Sequence, residues 1–260
     1  MEMKKIKVMG IVNVTPDSFS DGGKFYQPEK AVAHAFELIQ EGADILDLGA
    51  QSTRPGYIEV SPEEEIKRIA PVINAIREKS TIPISIDTYF PQVADYALAN
   101  GATILNDVRG LDLDGMMEVA KKYPQAKLII MHSRPRKSEL SLEADLQAFY
   151  EEKYQACLAA GINQKRICFD PGIGFGKSME ENIDLLKHPE KYRYKNIPLL
   201  YGVSRKRTIA HLVDEERPLE RDYGSVTASL FAAIHGVELV RVHQVKGMKD
   251  ALKIWQQLAE

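Results

Sequence analysis

Short apolar runs alternate with longer amphipathic runs from one end of the chain to the other. Eight runs are near-continuously apolar, as strands covered on both faces are. They span residues 5–14, 44–48, 82–86, 103–105, 127–131, 166–169, 198–203 and 238–242. Helical patterns lie between them. One, over 28–40, sets Ala31, Ala35, Leu38 and Ile39 at helical spacing and stops at Gly42. Another opens on Ser61-Pro62-Glu63-Glu64, which supplies an N-cap, a proline at the first helical position and an acidic first turn. Further helices are predicted to begin near Pro91, Asp114, Leu142, Met179, Ser225 and Lys246. Eight strands, each followed by a helix, predict an α/β fold of the (β/α)8 TIM-barrel type. An open doubly wound sheet is the alternative.

No linker or shift of composition divides the chain, so residues 1–260 read as a single domain. That length suits one barrel, which takes about 250 residues. Two strand-to-helix connections, 15–27 and 51–60, exceed the ~2 to 6 residues usual for such loops and read as lids. The formal net charge is −3, with no basic stripe, which argues against nucleic acid as a partner. The local cluster Ser204-Arg205-Lys206-Arg207 suits a small anion instead. No run approaches the ~18 to 20 apolar residues of a membrane span, and the N-terminus lacks the apolar core of a signal peptide. A cytoplasmic protein with no membrane partner is expected. Cys157 and Cys168 form neither a disulfide framework nor a zinc motif and are expected to be buried thiols.

The apolar runs end on polar groups. Strand 1 ends near Asn13, strand 2 carries Asp47, strand 3 ends at Asp87, strand 4 at Asn106-Asp107 and strand 6 at Asp170. Strand 7 runs into Ser204-Arg205-Lys206, and strand 8 carries Arg241 and His243, two apart and so on one face. In a barrel these ends converge on the rim that carries the active site. Each carboxylate taken alone could cap a helix or meet a cation, a reading that suits Asp107 better than Asp87 or Asp170. Together they favour a ligand site, because a buried carboxylate without a partner costs several kcal/mol. Acidic and amide groups suit a flat heterocycle with several N–H donors. Arg241, His243 and Lys206 suit a phosphate, and Asn13 adds an oxygen ligand for Mg2+, which is usually held by few protein groups.

Three segments sharpen the picture. DPGIGFGKS (170–178) has the look of a phosphate loop between a strand and a helix, although Pro171 stands where a Walker A motif needs glycine. MGIVNVTPDSFSDGG (9–23) and STRPG (52–56) place Asp17, Phe19, Asp21 and Arg54 in the two lids. With QSTRPG, SIDT, LNDV, FDPGIGFGK, GVSRK and RVH in this order, the chain resembles the dihydropteroate synthases from about Val8 to His243.

That resemblance implies condensation of 6-hydroxymethyl-7,8-dihydropterin pyrophosphate with p-aminobenzoate, in a homodimer that uses Mg2+ and is a target of sulfonamides. It implies that Asp87, Asn106, Asp170, Lys206, Met131 and Phe175 hold the pterin. Asn13, Arg241 and His243 take the pyrophosphate, with Asn13 as metal ligand. Thr53, Arg54, Pro55, Phe175, Ser204 and Lys206 shape the p-aminobenzoate site. Asp87, Asp170, Lys206, Asp21 and Arg54 carry the catalysis, with Asp47 in support. The chain departs from the family at Ala50 and Gln51, at Gln244, and in HSRPRKS after Met131. His132, directly after strand 5, is a candidate for the rim; His34, His188, His211 and His235 read as surface or packing residues. Met248, Ala251, Leu252, Trp255 and Leu258 form a helical stripe that packs on the barrel. Two alternatives share the acidic pocket or the anion site: a pterin-dependent corrinoid methyltransferase and a non-catalytic barrel that binds a phosphorylated ligand.

Overall fold

The computed structural model describes residues 6–15, 28–51 and 59–259. Its eight strands are β1 (Lys7–Asn13), β2 (Ile45–Gly49), β3 (Ile84–Asp87), β4 (Ile104–Asp107), β5 (Lys127–Met131), β6 (Ile167–Asp170), β7 (Leu200–Tyr201) and β8 (Leu239–Val242). All pair in parallel, in the order β6-β5-β4-β3-β2-β1-β8-β7. A bridge between Phe169 and Leu199 joins the two ends of this order. There the Phe169 N–H donates to the Pro198 carbonyl at 2.9 Å. This contact closes the sheet into a barrel and rules out the open doubly wound alternative.

Helices α1 (Pro28–Gln40), α2 (Pro62–Lys79), α3 (Pro91–Ala99), α4 (Met116–Lys122), α5 (Leu142–Ala159) and α6 (Met179–Lys187) follow the first six strands. Two helices follow β7: α7 (Arg207–Val213) and α8 (Asp222–Ile234). The last, α9 (Val245–Ala259), follows β8. The second helix starts as its sequence predicts, with Ser61 Oγ accepting the Glu64 N–H at 3.3 Å. The start near Asp114 moves to Met116, and the start near Ser225 moves back to Asp222. Helix α7 was not predicted: besides being only 7 residues long, it opens on Lys206 with no side-chain cap and no acidic residue in its first turn, so the sequence carries no start signal. Strand β7 is shorter than the apolar run 198–203. Pro198 brings no N–H to a ladder, and beyond Tyr201 the chain turns, with Lys206 N–H donating to the Val203 carbonyl at 3.1 Å. The stripe on α9 is also shorter than expected: Val245, Met248 and Leu252 are buried, while Leu258 is 79% exposed.

The inside of the barrel is layered. Met9, Ile45, Ile104, Ile129, Cys168 and Leu200 form a buried apolar plug against which Leu239 packs. Side chains alternate along a strand, so the inward positions two residues further on are Ile11, Asp47, Asn106, Met131, Asp170 and Arg241. Above the apolar plug, four of these six positions, Asp47, Asn106, Asp170 and Arg241, carry polar groups. The outward faces of the same strands pack under the helices in the main core. Both cysteines are free and buried, Cys168 within the plug. Among the described residues no helix is long and apolar enough to cross a membrane.

Candidate active site

The upper layer of the barrel is an ionic lattice drawn from six strands or strand exits. Arg241 on β8 donates from Nε to Asp47 Oδ2 at 2.5 Å and from Nη2 to Asp87 Oδ2 at 2.7 Å. Asn106 on β4 donates from Nδ2 to both Asp47 oxygens, at 3.3 and 3.4 Å. Asp47 is fully buried, so it lies beneath the mouth and braces Arg241 and Asn106 from below. Asp170 closes β6 and accepts the Gly172 N–H at 2.7 Å. Lys206 enters from the turn after β7, donates to the Ile173 carbonyl at 2.6 Å, and sets its ammonium 4.7 Å from the Phe175 ring centroid. Ser204 and His243 meet beside this group: Ser204 Oγ is 2.9 Å from His243 Nδ1 and accepts the His243 N–H at 3.2 Å. Met131 pairs in register with Asp170 and shares its inward parity, and Asn13 ends β1 opposite Gly49.

Residues separated by up to 194 positions thus converge on one mouth that holds two carboxylates and two cations above a third carboxylate. The chain matches the model of the pterin binding enzymes over residues 9–243. It is 42% identical to the dihydropteroate synthase of Neisseria meningitidis serogroup B over 268 residues, covering 98% of this chain and 94% of that protein. The Bacillus subtilis dihydropteroate synthase is 41% identical over 251 residues, 96% of this chain and 88% of that one. The chain belongs to the dihydropteroate synthase family. The Xanthomonas albilineans dihydropteroate synthase, solved with 4-aminobenzoic acid, superposes with a TM-score of 0.93 at 42% identity, covering 100% of this chain and 95% of that one. The same enzyme in complex with 7,8-dihydropteroate superposes at 0.90 with 40% identity and the same coverage. This family member is accordingly a transferase of folate biosynthesis with a pterin-binding barrel.

Burial sets the electrostatics of the synthase site. It pushes the Asp87 carboxyl above the ordinary carboxylate range; Arg241 opposes that rise, and Asp47 adds to it. Asp170 is raised by the same desolvation, with Lys206 pulling the other way. Burial brings the Lys206 ammonium down to about 8, against the pull of Asp170. Burial also works against the Arg241 charge, but Asp47 and Asp87 outweigh it and hold the guanidinium above its usual value. The lattice therefore keeps Arg241 charged and leaves the two mouth carboxylates poised, which is how buried sites tune reactive groups.

Several sequence expectations fall differently. Asp21, Thr53, Arg54 and Pro55, with Asp17 and Phe19, lie outside the described residues. Asp107, in contrast, takes the structural role that suited it from the sequence: it serves the turn after β4, accepting the Arg109 and Leu111 N–H groups at 2.8 and 3.0 Å. His132 does not open on the rim: it is 1% exposed and packs edge-on against Phe149 at 5.0 Å. The segment 170–178 does not offer its lysine or serine to a phosphate. Lys177 is turned toward backbone carbonyls, and Ser178 caps α6 in a capping box with Glu181. The local cause is Gly172, at φ 71°, whose missing Cβ would stand 2.1 Å from the His132 carbonyl oxygen. Only glycine lets the loop press on the exit of β5 in this way.

One buried group escaped the sequence reading. Glu65 on α2 is 1% exposed, its Oε1 has no hydrogen-bond partner, and it hydrogen-bonds to Thr88, next to Asp87. Its position was visible: Glu65 falls on the same helical stripe as Ile69, Val72, Ile73 and Ile76.

Proposed function

We propose that this chain joins the methylene carbon of 6-hydroxymethyl-7,8-dihydropterin pyrophosphate to the amine of p-aminobenzoate, giving 7,8-dihydropteroate and pyrophosphate. The observation that carries this reading is the lattice in which Arg241 spans Asp47 and Asp87 within the same mouth as Asp170 and Lys206. A flat pterin presents adjacent N–H donors, which carboxylates accept in pairs, and ring acceptors that an ammonium can meet. Asp87, Asn106, Asp170 and Lys206 suit these roles, with Met131 and Phe175 supplying apolar contact. Arg241 and His243 suit the diphosphate, and Ser204, Phe175 and Lys206 the p-aminobenzoate, with Thr53, Arg54 and Pro55 of the second lid.

The reaction breaks the bond between the methylene carbon and the ester oxygen, and the electron pair leaves with pyrophosphate. Positive charge then spreads over the dihydropterin, where the Asp87 and Asp170 carboxylates stabilise it. Asp21 and Arg54 belong to loops that would exclude water, which otherwise captures the cation. The aniline-type nitrogen attacks the carbon through its lone pair and then releases one proton. That amine is unprotonated near neutral pH, so no strong general base is needed.

Magnesium fits this site as a lightly held ion. Among the described residues no group of three His, Cys, Asp or Glu side chains gathers to form a metal cage. Mg2+ is commonly bound by one or two protein oxygens plus substrate phosphates and water. The Asn13 amide oxygen, at the end of β1, suits such a role. When bound, the ion would neutralise diphosphate charge.

The same reading extends to inhibitors, assembly and location. A sulfonamide mimics p-aminobenzoate and would compete beside Ser204. Leu212, Leu219, Tyr223 and Phe231 on and between α7 and α8 are 50%, 71%, 91% and 41% exposed, an apolar surface that a second copy would cover in a homodimer. Two buried free thiols suit the reducing cytoplasm.

One assay tests the function: release of pyrophosphate from the dihydropterin pyrophosphate with Mg2+, with and without p-aminobenzoate. Release that depends on p-aminobenzoate is expected, with a loss of about 100-fold or more in Asp170→Asn and in Lys206→Ala. Release without that dependence, or methyl transfer from a methylated pterin instead, sinks the assignment. Full activity in both variants sinks the site.

A further inference from the structure

Lys177 is half-buried as a residue, but its ammonium is turned into the protein. Nζ donates to the carbonyls of Phe175 at 3.0 Å, Gly172 at 3.1 Å and His132 at 3.2 Å, and lies 3.2 Å from His132 Nδ1. Three carbonyl oxygens match the three N–H donors of the ammonium, as carbonyl shells elsewhere hold a monovalent cation, and the imidazole nitrogen stands beside them. The imidazole is suited to the contact. Burial and the neighbouring ammonium hold His132 down to about 4, so the ring is neutral and Nδ1 can accept. The proton then sits on Nε2, which faces Asp145 at 3.7 Å. Asp145 is bound in turn by Arg136, which reaches Glu181 on α6 at 3.0 Å. The ammonium thus sits at the end of an anchored chain of groups from β5, α5 and α6.

The outer side of the same loop faces the mouth. Between the two carbonyls that Lys177 grips, at 172 and 175, the Ile173 carbonyl receives the Lys206 ammonium and Gly174 N–H donates to Asn182 Oδ1 at 2.7 Å. Phe175 lies under that ammonium. Three carbonyl oxygens within four residues, those of Gly172, Ile173 and Phe175, point at two ammonium groups, and such a backbone is expensive to hold without both of them.

We propose that Lys177 is a positioning residue for the p-aminobenzoate side of the site, an internal cation around which residues 172–177 are wound. It fixes the Ile173 carbonyl and the Phe175 ring against Lys206. Lys177 touches neither substrate; it acts through these two groups. The inference rests on the reading of Phe175 and Lys206 as substrate-binding groups given above.

The test uses the full chain with Lys177→Ala, and with Lys177→Met as a variant that keeps the volume without the charge. Amide hydrogen exchange is followed over 172–177 and over the strands, together with kcat and both KM values. In both variants exchange at 174 and 175 rises about tenfold or more while the strands stay as protected as before. The KM for p-aminobenzoate rises about tenfold and kcat changes by less than about twofold, the signature of lost binding rather than lost chemistry. Propylammonium, which carries the deleted atoms, lowers that KM and restores loop protection in Lys177→Ala but not in Lys177→Met. Unchanged loop exchange with unchanged KM overturns the proposal. So does exchange that accelerates across the whole barrel with both KM values and kcat failing together, the mark of a merely structural lysine. If the unsubstituted chain gives no p-aminobenzoate-dependent release, the function assigned above fails by itself. Loop protection and its rescue by propylammonium then still decide for or against Lys177.

Discussion

Replacing Glu65 by glutamine is expected to stabilise the protein, by an amount that grows with pH. Glu65 is 1% exposed, Oε1 lacks a partner, and burial, with Asp87 nearby, raises its carboxyl to about 8 from an ordinary 4.5. At neutral pH the folded protein therefore keeps this proton and the unfolded chain releases it. Unfolding then liberates a proton, so stability falls as pH rises between the two pKa values, by ~1.4 kcal/mol for each pH unit. By pH 7 the accumulated loss is about 3 kcal/mol, and at pH 4.5 it is small. Glutamine has nearly the same shape, keeps an amide to bond Thr88, and carries no proton to lose. Urea unfolding of both proteins at pH 5, 6, 7 and 8 measures the difference. It should widen from under about 1 kcal/mol at pH 5 to about 3 kcal/mol at pH 7 in favour of the variant. A difference that is flat across this range would show that Glu65 ionises normally, and the account of its burial would be wrong.

The kcat/KM profile is expected to be a bell with its acid side above the ordinary carboxylate range, because burial raises Asp87 and Asp170 and both must be anions. The alkaline side should fall near pH 8, as Lys206 loses its proton; activity unchanged from pH 7 to 10 would contradict that role. Glutamate in place of Tyr223, which is 91% exposed, should halve the sedimenting mass in analytical ultracentrifugation if α8 forms the homodimer contact. An unchanged dimer would place the interface elsewhere.

The barrel was legible because strands buried on both faces leave continuous apolar runs, and helices leave a 3.6-residue stripe. The site was legible for a related reason. Asp47, Asn106, Asp170 and Arg241 each stand two residues beyond an apolar inward position, so alternation alone aims them into the barrel. Helix α7 was hidden by its brevity together with its uncapped start at Lys206, and β7 was overextended because an apolar run also describes a buried turn. The glycine-rich segment 170–178 misled for a different reason. Glycine, lysine and serine announce a phosphate loop only when the lysine faces outward, and no local signal says which way it turns.

The alternation of eight strands with helices, the membership of the inner layer and the described strand-end groups at the mouth were thus written in the chain, because each follows from periodicity over a few neighbouring residues. Which charge meets which was decided by the closed barrel. Arg241 lies 194 positions from Asp47 and 154 from Asp87, and Lys177 lies 45 from His132. Contacts at such separations come from strand register and from loops packed on their neighbours. Desolvation, which sets the proton affinities of Asp87, Lys206 and Glu65, exists only once the fold has removed the water.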